Sequence, residues 1–514
     1  MLFNSDANRN IQAPSTCPLV PRHGSAIALQ NDDLAITYDD LLGRSQAVAS
    51  ALLANSHYQD LTERRFGFLL PAGADYIAVQ WGIWKAGGVA LPLSLSATAS
   101  ELEYVITDSG ATCVVVNEQT SANLEEVCQS LGIPMMNVNS LYRDEQSTDR
   151  SLPEVSSDRN AMILYTSGTT SRPKGVVSTH AMIESQINTL IKAWHWQPDD
   201  RIPLFLPLHH IHGIINVMSC ALWVGDTIDP FPYFDMDKIL GRVADGAYTV
   251  FMAVPTIYLK IIQAIEAMPP ARRQKTLAGF AAMRLMVSGS AALPETVHRK
   301  WTELTGQVLL ERYGMTEIGM GLSNPYHGQR RAGVVGQPLP GVEVRLKSED
   351  DGAIITEENI AGEIQVRGPS VFQQYWNRPA ATTQSFDDGW FRTGDIAEIE
   401  DGYYRILGRQ SVDIIKSGGY KISALEVEAS LLDHPEILEC AVVGVADEVW
   451  GELVAVAVVF RNVSIDLESL RNWCREKLSK YKIPKRLLPV NALPRNAMGK
   501  VTKAKVQKLF ENTL

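Results

Sequence analysis

Apolar positions along the first third of the chain switch repeatedly between two periods. Ile36 to Ala54 carries Leu and Ala at helical spacing, Arg65 to Leu70 is an apolar run of strand length, and Ala74 to Ala86 is again amphipathic. Gly87-Gly88 breaks that helix before the strand-like Val89 to Leu93. A second unit follows, with helix Ser100 to Asp108, the turn Ser109-Gly110 and strand Ala111 to Val116. Strands and helices alternating with short connections predict a parallel sheet, hence an α/β fold. Asn139 to Asn160 is polar and loop-like. Beyond it the pattern predicts strands at Ala161–Leu164, Ile202–Leu206, Val250–Ile257, Leu285–Ser290 and Tyr403–Leu407, with a helix over Val176–Leu190. From Ala424 the rhythm shortens: helix Ala424–Leu432, strands Cys440–Gly444 and Leu453–Phe460, helix Leu467–Leu478. That spacing suits a small α+β unit.

At 514 residues the chain exceeds what one core organises, so at least two domains are expected. A formal charge of −11 with no basic block argues against a nucleic-acid binder or an anionic membrane surface. Six scattered cysteines without a C-x-x-C pair point away from disulfides and zinc, toward a reducing compartment. No apolar run reaches transmembrane length, and the N-terminal stretch lacks the apolar core of a secretory signal. The expected location is the cytoplasm.

The densest chemistry lies in Tyr165-Thr166-Ser167-Gly168-Thr169-Thr170-Ser171-Arg172-Pro173-Lys174-Gly175, between a predicted strand and a predicted helix. Glycines let backbone N–H groups turn toward an anion, hydroxyls add neutral donors, and Lys174 adds a mobile charge suited to phosphate. The spacing is not that of a Walker A loop. His209, His210 and His212 sit at i, i+1 and i+3 with no carboxylate or cysteine close by, which disfavours a metal centre. Ser288-Gly289-Ser290-Ala291 is a run of small residues that permits close approach of a flat ring. In Glu311-Arg312-Tyr313-Gly314-Met315-Thr316-Glu317, an aromatic, a hydroxyl and a carboxylate within five positions can stack a base, touch phosphate and ligate Mg²⁺.

These stretches together resemble the adenylate-forming superfamily of acyl-CoA synthetases, luciferases and adenylation domains. The likeness spans about residues 30 to 510, with six motifs in order. It implies a large N-terminal domain of layered α/β subdomains over residues 1–409. A small mobile α+β domain over 410–514 would follow, with the hinge near Gln410-Ser411-Val412-Asp413. It implies ATP, Mg²⁺ and coenzyme A as ligands, a small carboxylic acid as substrate, and acyl-adenylate formation followed by thioester formation. The roles it implies begin with Thr166, Ser167, Gly168, Thr169, Thr170 and Lys174 on phosphates, with Ser288 to Ala291 against adenine. Glu311 to Thr316 would line the nucleotide, with Tyr313 stacked on adenine, Thr316 on the α-phosphate and Glu317 on Mg²⁺. Asp395 and Arg409 would reach the ribose, Lys500 would bridge acid and phosphate, and Gly418 and Gly419 would border the pantetheine tunnel. The family's usual glycine is replaced by Ser171.

Within the superfamily, strings such as RLMVSGSAALP, LERYGMTE and LPRNAMGK look like the malonyl-CoA synthetase subgroup. A malonate pocket must supply a basic partner for the second carboxylate. Arg284, Arg312, His210 and His212 are the candidates, with Met315 as further lining. The remaining alternatives are another short-chain, medium-chain, fatty or aryl acid, or the loading of a separate carrier protein. The oligomeric state is not read from the sequence.

Overall fold

The computed structural model describes residues 17–56, 58–143, 151–166, 172–495 and 501–511. Among them the chain forms five sheets, and the first two are the parallel α/β layers that the sequence predicts. In one, Met135–Asn137, Cys113–Val116, Arg65–Leu69, Val89–Pro92 and Asn160–Thr166 run parallel, and Lys174–Thr179 closes the edge antiparallel. In the other, Val250–Ala253, Leu285–Ser288 and Leu310–Met315 are parallel, followed by antiparallel Gly319–Ser323 and Gln337–Pro338. A four-stranded sheet contains Arg201–Leu204 beside Thr227–Pro230, and an antiparallel sheet contains Trp390–Glu400 beside Tyr403–Arg409.

One continuous core, running from Cys17 to Tyr404, holds these four sheets together, with a second cluster under the first sheet. The last sheet, built on Ile437–Asp447 and Gly451–Phe460, has its own cores on its two faces. One face is covered by helices Ala424–Leu432 and Leu467–Arg475, the other by Lys503–Glu511. The Lys503 ammonium lies 2.6 Å from Asp413 and 2.8 Å from Glu428, tying the final helix to the start of this unit. The architecture is a large layered α/β part with a smaller α+β part.

Several boundaries differ from the sequence reading, among them the start of the loop-like Asn139–Asn160 stretch, where Val138–Tyr142 is a short helix. Residues 174–179 are a strand, and the helix starts at His180 and runs to Trp194. The β-branched Val176, Val177 and Thr179 favour extended backbone, and the Thr179 hydroxyl accepts from Met182 N–H at 3.2 Å, capping the helix. The Ser/Thr-rich loop therefore joins the two strands of a hairpin instead of leading into a helix. The strand predicted over Val250–Ile257 ends at Ala253, because Pro255 takes the first position of helix Pro255–Ala267.

Candidate active site

Thr166 and Lys174 are register partners at the loop end of the hairpin. Ser167, Gly168, Thr169 and Thr170, with Ser171, lie outside the described residues, as does Lys500. Lys174 is held from one side by a second segment. Val177 N–H donates to Gln374 O at 3.2 Å, Trp376 N–H donates to Gly175 O at 2.7 Å, and Tyr375 bridges Val176. This lays the Tyr375 ring under the Lys174 ammonium, 4.3 Å from the ring centroid. Gly175 is required at the crossing, since a Cβ there would come within 2.8 Å of Ile163.

The Tyr375 hydroxyl donates to Glu317 Oε1 at 3.0 Å. Glu317 is buried, and that burial raises its pKa, opposed by Tyr375, Arg409 and Lys174. Among the described residues no group of three His, Cys, Asp or Glu gathers to hold a metal ion. A single carboxylate plus substrate phosphates is how Mg²⁺ is commonly held, so Glu317 fits such an ion.

Glu311 to Met315 lie on a strand, and Thr316 and Glu317 on the turn that follows it. Gly314 has no room for a side chain, because a Cβ would meet Gly319 O at 2.2 Å. The Tyr313 hydroxyl donates to Asp395 Oδ2 at 2.6 Å, and Arg409 Nε donates to Asp395 Oδ1 at 2.8 Å. Asp395 and Arg409 are register partners on adjacent strands. Thr393-Gly394-Asp395 is thus a strand segment that brings a carboxylate, a cation and the aromatic ring together.

A third group forms where Leu285–Ser288 lies parallel to Leu310–Met315. Arg312 is 3% exposed, its Nη2 donates to Ser290 Oγ at 3.3 Å, and its Nε has no hydrogen-bond partner. Its guanidinium packs on Gly289, where an added Cβ would fall 2.6–2.8 Å from it. Ser290 takes φ +70°, a conformation that serine rarely adopts, and its hydroxyl lies 3.1 Å from His212 Nδ1. His212 reaches this position from a wide helical turn, entered where the His210 carbonyl accepts from Ile214 N–H at 3.0 Å, while the His210 ring lies against His209 at 4.4 Å. Gly213 allows that turn, since a Cβ would meet Pro207 O at 2.6 Å. Burial pulls the Arg312 pKa down to about 9 and pushes the neighbouring Glu311 up to about 8. Glu311 Oε1 accepts from Leu293 N–H at 3.1 Å and so steadies the loop that follows Ser288–Ala291.

Arg284 does not join this group. At the opposite end of its strand it forms an ion pair with buried Asp200 and donates to Trp194 O and Tyr326. Gly418 and Gly419 form a hairpin turn with φ +57° and +83°, the paired left-handed conformations that a two-residue turn needs. A Cβ on Gly418 would strike the Trp450 ring at 2.6 Å, and Lys485 Nζ stands 3.4 Å over that ring. Tyr375 and Trp450 escape the sequence reading, whereas Lys485 closes the locally basic stretch Lys477–Lys485, which the sequence offers either as a solvated face or as a place for the phosphates of coenzyme A. The only signal for Tyr375 was an aromatic cluster, Phe372 to Trp376, attached to no motif.

A hairpin loop ending in a lysine, a buried carboxylate beside it and a paired Asp–Arg near an aromatic ring, all on an α/β scaffold, are an arrangement chemically suited to handling a nucleotide. The AMP-binding enzyme family matches residues 20–376 and its C-terminal domain matches residues 426–500, and the chain belongs to that family. The mitochondrial malonate–CoA ligase of Xenopus laevis is 44% identical over 484 residues, covering 87% of this chain and 83% of that protein. The corresponding Homo sapiens protein is 42% identical over 494 residues, covering 90% and 86%. Among solved structures, ATP-bound MatB from Rhodopseudomonas palustris superposes with a TM-score of 0.87 at 33% identity, covering 95% of this chain and 96% of that one. The o-succinylbenzoate CoA synthetase of Bacillus subtilis, in complex with ATP and magnesium ion, gives 0.81 at 26%, covering 94% and 97%.

Proposed function

We propose that the chain is an ATP-dependent acid–CoA ligase that joins malonate, or methylmalonate, to AMP and then to coenzyme A. The observation that carries the choice of acid is Arg312, a buried cation whose Nε has no hydrogen-bond partner and whose neighbouring carboxylate, Glu311, is itself pushed up to about 8 by burial. A buried charge calls for a counter-ion, and the second carboxylate of a dicarboxylic acid supplies one. Ser290, His212 and His210 would complete that end of the pocket, with Met315 alongside. The malonate–CoA ligases among the relatives support the same reading.

A carboxylate is already a nucleophile at neutral pH, so adenylation needs alignment and charge neutralisation but no general base. Lys174 and the loop hydroxyls of Thr166 to Thr170 would neutralise the phosphates, and Thr316 and Lys500 would align the attacking oxygen. Tyr313, the Ser288–Ala291 loop, Asp395 and Arg409 would hold the nucleoside. Glu317 would hold Mg²⁺, which supplies further neutralisation of phosphate charge when bound. The two working lobes would be residues 1–409 and 410–514. Gly418 and Gly419 would border the thiol's path, while Trp450 and Lys485 offer a ring and a cation to the nucleotide end of coenzyme A. Six free cysteines suit a reducing compartment, which we assign to the cytoplasm. Among the described residues no helix is long and apolar enough to cross a membrane.

The test is a panel of acids with pyrophosphate and AMP release as readouts. Malonate and methylmalonate should give coenzyme-A-dependent AMP, and acetate, fatty and aryl acids little. Turnover of the monocarboxylates alone would overturn the malonate reading, and transfer only to a carrier protein would replace coenzyme A as the acceptor.

A further inference from the structure

Tyr375 lies outside every motif, yet it is the side chain through which two nucleotide-site residues meet. It is 5% exposed, and its ring is packed edge-on against Phe372 at 4.6 Å. Its backbone is fixed twice, by the bridge to Val176 and by donation of its N–H to Thr382 Oγ1 at 3.0 Å. The Glu317 main chain is pinned by the same segment, its carbonyl accepting from Phe372 N–H at 2.7 Å. The hydroxyl then commits Glu317 Oε1, while the ring face carries the Lys174 ammonium.

Each half of this arrangement has a physical consequence. A carboxylate with one oxygen engaged by a fixed hydroxyl presents the other as a one-oxygen ligand. Mg²⁺ accepts that readily in its tight octahedron, whereas Ca²⁺ often takes carboxylates through both oxygens. An ammonium over an aromatic face keeps its charge and gives up little hydration, so it transfers easily to a stronger anion. Without the ring, Lys174 would be drawn toward Glu317 itself, competing with metal for the same carboxylate.

We propose that Tyr375 is a positioning residue: its hydroxyl holds Glu317 for one-oxygen binding of a divalent cation, and its ring keeps Lys174 off that carboxylate until phosphates arrive. This rests on the ligase reading above and assigns a cation-selecting role to a residue outside its motifs.

The experiment compares Y375F and Y375L with the parent enzyme, using ATP–pyrophosphate exchange titrated with MgCl₂ and CaCl₂. Calorimetry of ATP binding against MgCl₂, with no acid present, gives a readout independent of turnover. Y375F keeps the ring and the packing. Its half-saturating Mg²⁺ should rise about tenfold and its preference for Mg²⁺ over Ca²⁺ should shrink, with KM for ATP at saturating Mg²⁺ within about threefold of the parent. Y375L should add a rise of about two- to tenfold in KM for ATP. Unchanged Mg²⁺ dependence in Y375F, or loss of kcat in both variants with Mg²⁺ dependence intact, overturns the proposal. Absence of exchange by the parent enzyme with every acid would overturn the ligase reading instead.

Discussion

Replacing Arg312 with methionine tests the malonate pocket directly. Methionine fills a similar unbranched volume against Gly289 but carries no charge. The drop of the guanidinium pKa from its ordinary value to about 9 reflects burial without a full counter-ion. At 1.36 kcal/mol per pKa unit, that drop amounts to about 5 kcal/mol of unfavourable charging. A bound dicarboxylate recovers part of it, and losing one partner of such a buried charged contact typically costs about 2–5 kcal/mol. R312M should therefore lower kcat/KM for malonate by at least about 30-fold. Acetate and propionate, which bring no second carboxylate, should change by less than about threefold. A companion variant, G289A, leaves the arginine in the sequence but sets a methyl 2.6–2.8 Å from its present guanidinium position. It should displace the charge and selectively weaken malonate turnover in the same way. The assay is steady-state pyrophosphate release with each acid at fixed ATP. Equal losses on malonate and acetate, or malonate turnover within about threefold of the parent, would refute the reasoning.

Two further outcomes follow from the same site. Glu311 is raised from 4.5 to about 8 by burial, with Arg312 pulling down and Glu295 pushing up. The folded state thus holds a proton that the unfolded chain releases, and stability is lost as pH climbs toward that value, by up to about 1.4 kcal/mol per unit. E311Q should flatten this fall, gaining about 2 kcal/mol on the parent between about pH 6 and about pH 8 in urea unfolding, and parallel curves would exclude it. D395N keeps the shape but leaves Arg409 without its carboxylate and Tyr313 without its charged acceptor. KM for ATP in pyrophosphate exchange should rise about 10- to 100-fold, with a lower melting temperature, and an unchanged KM would remove Asp395 from the nucleotide site.

Much of this was legible before folding, because the alternation of apolar periods encodes α/β layering and the motif residues carry their chemistry in their types. The misses have a common origin in contacts between distant segments. Val176 to Leu190 fits a helical period on its own, but Val176 and Val177 are recruited as strand by pairing with Ile163 and Leu164. The sequence offers both Arg284 and Arg312 as candidate partners for a carboxylate, with a plain structural role the stronger alternative for Arg284. Their difference arises because Leu285–Ser288 pairs in parallel with Leu310–Met315, with Ser288 opposite Glu311. That register sets Arg312 beside the Gly289–Ser290 end, while Arg284, at the other end of its strand, is neutralised by Asp200. Tyr375 carries no local pattern, since its role exists only where its segment crosses Lys174 and Glu317.

The motifs share a placement that explains why their order matters and their spacing does not. The Ser/Thr-rich loop follows Asn160–Thr166, the histidine turn follows Arg201–Leu204, the Gly289–Ala291 stretch follows Leu285–Ser288, and Thr316–Glu317 follows Leu310–Met315. All four strands have parallel neighbours, and each motif leaves at the carboxyl end. In open parallel sheets that is where ligands collect, because successive loops emerge on one side while helices cover the faces. Chain inserted between motifs, as helices Met236–Ala244 and Pro270–Ala282 are, can lengthen without moving any of the four ends. What cannot change is the strand register, since one residue of slip would turn Arg312 away from Ser290 and bring Glu311 into its place.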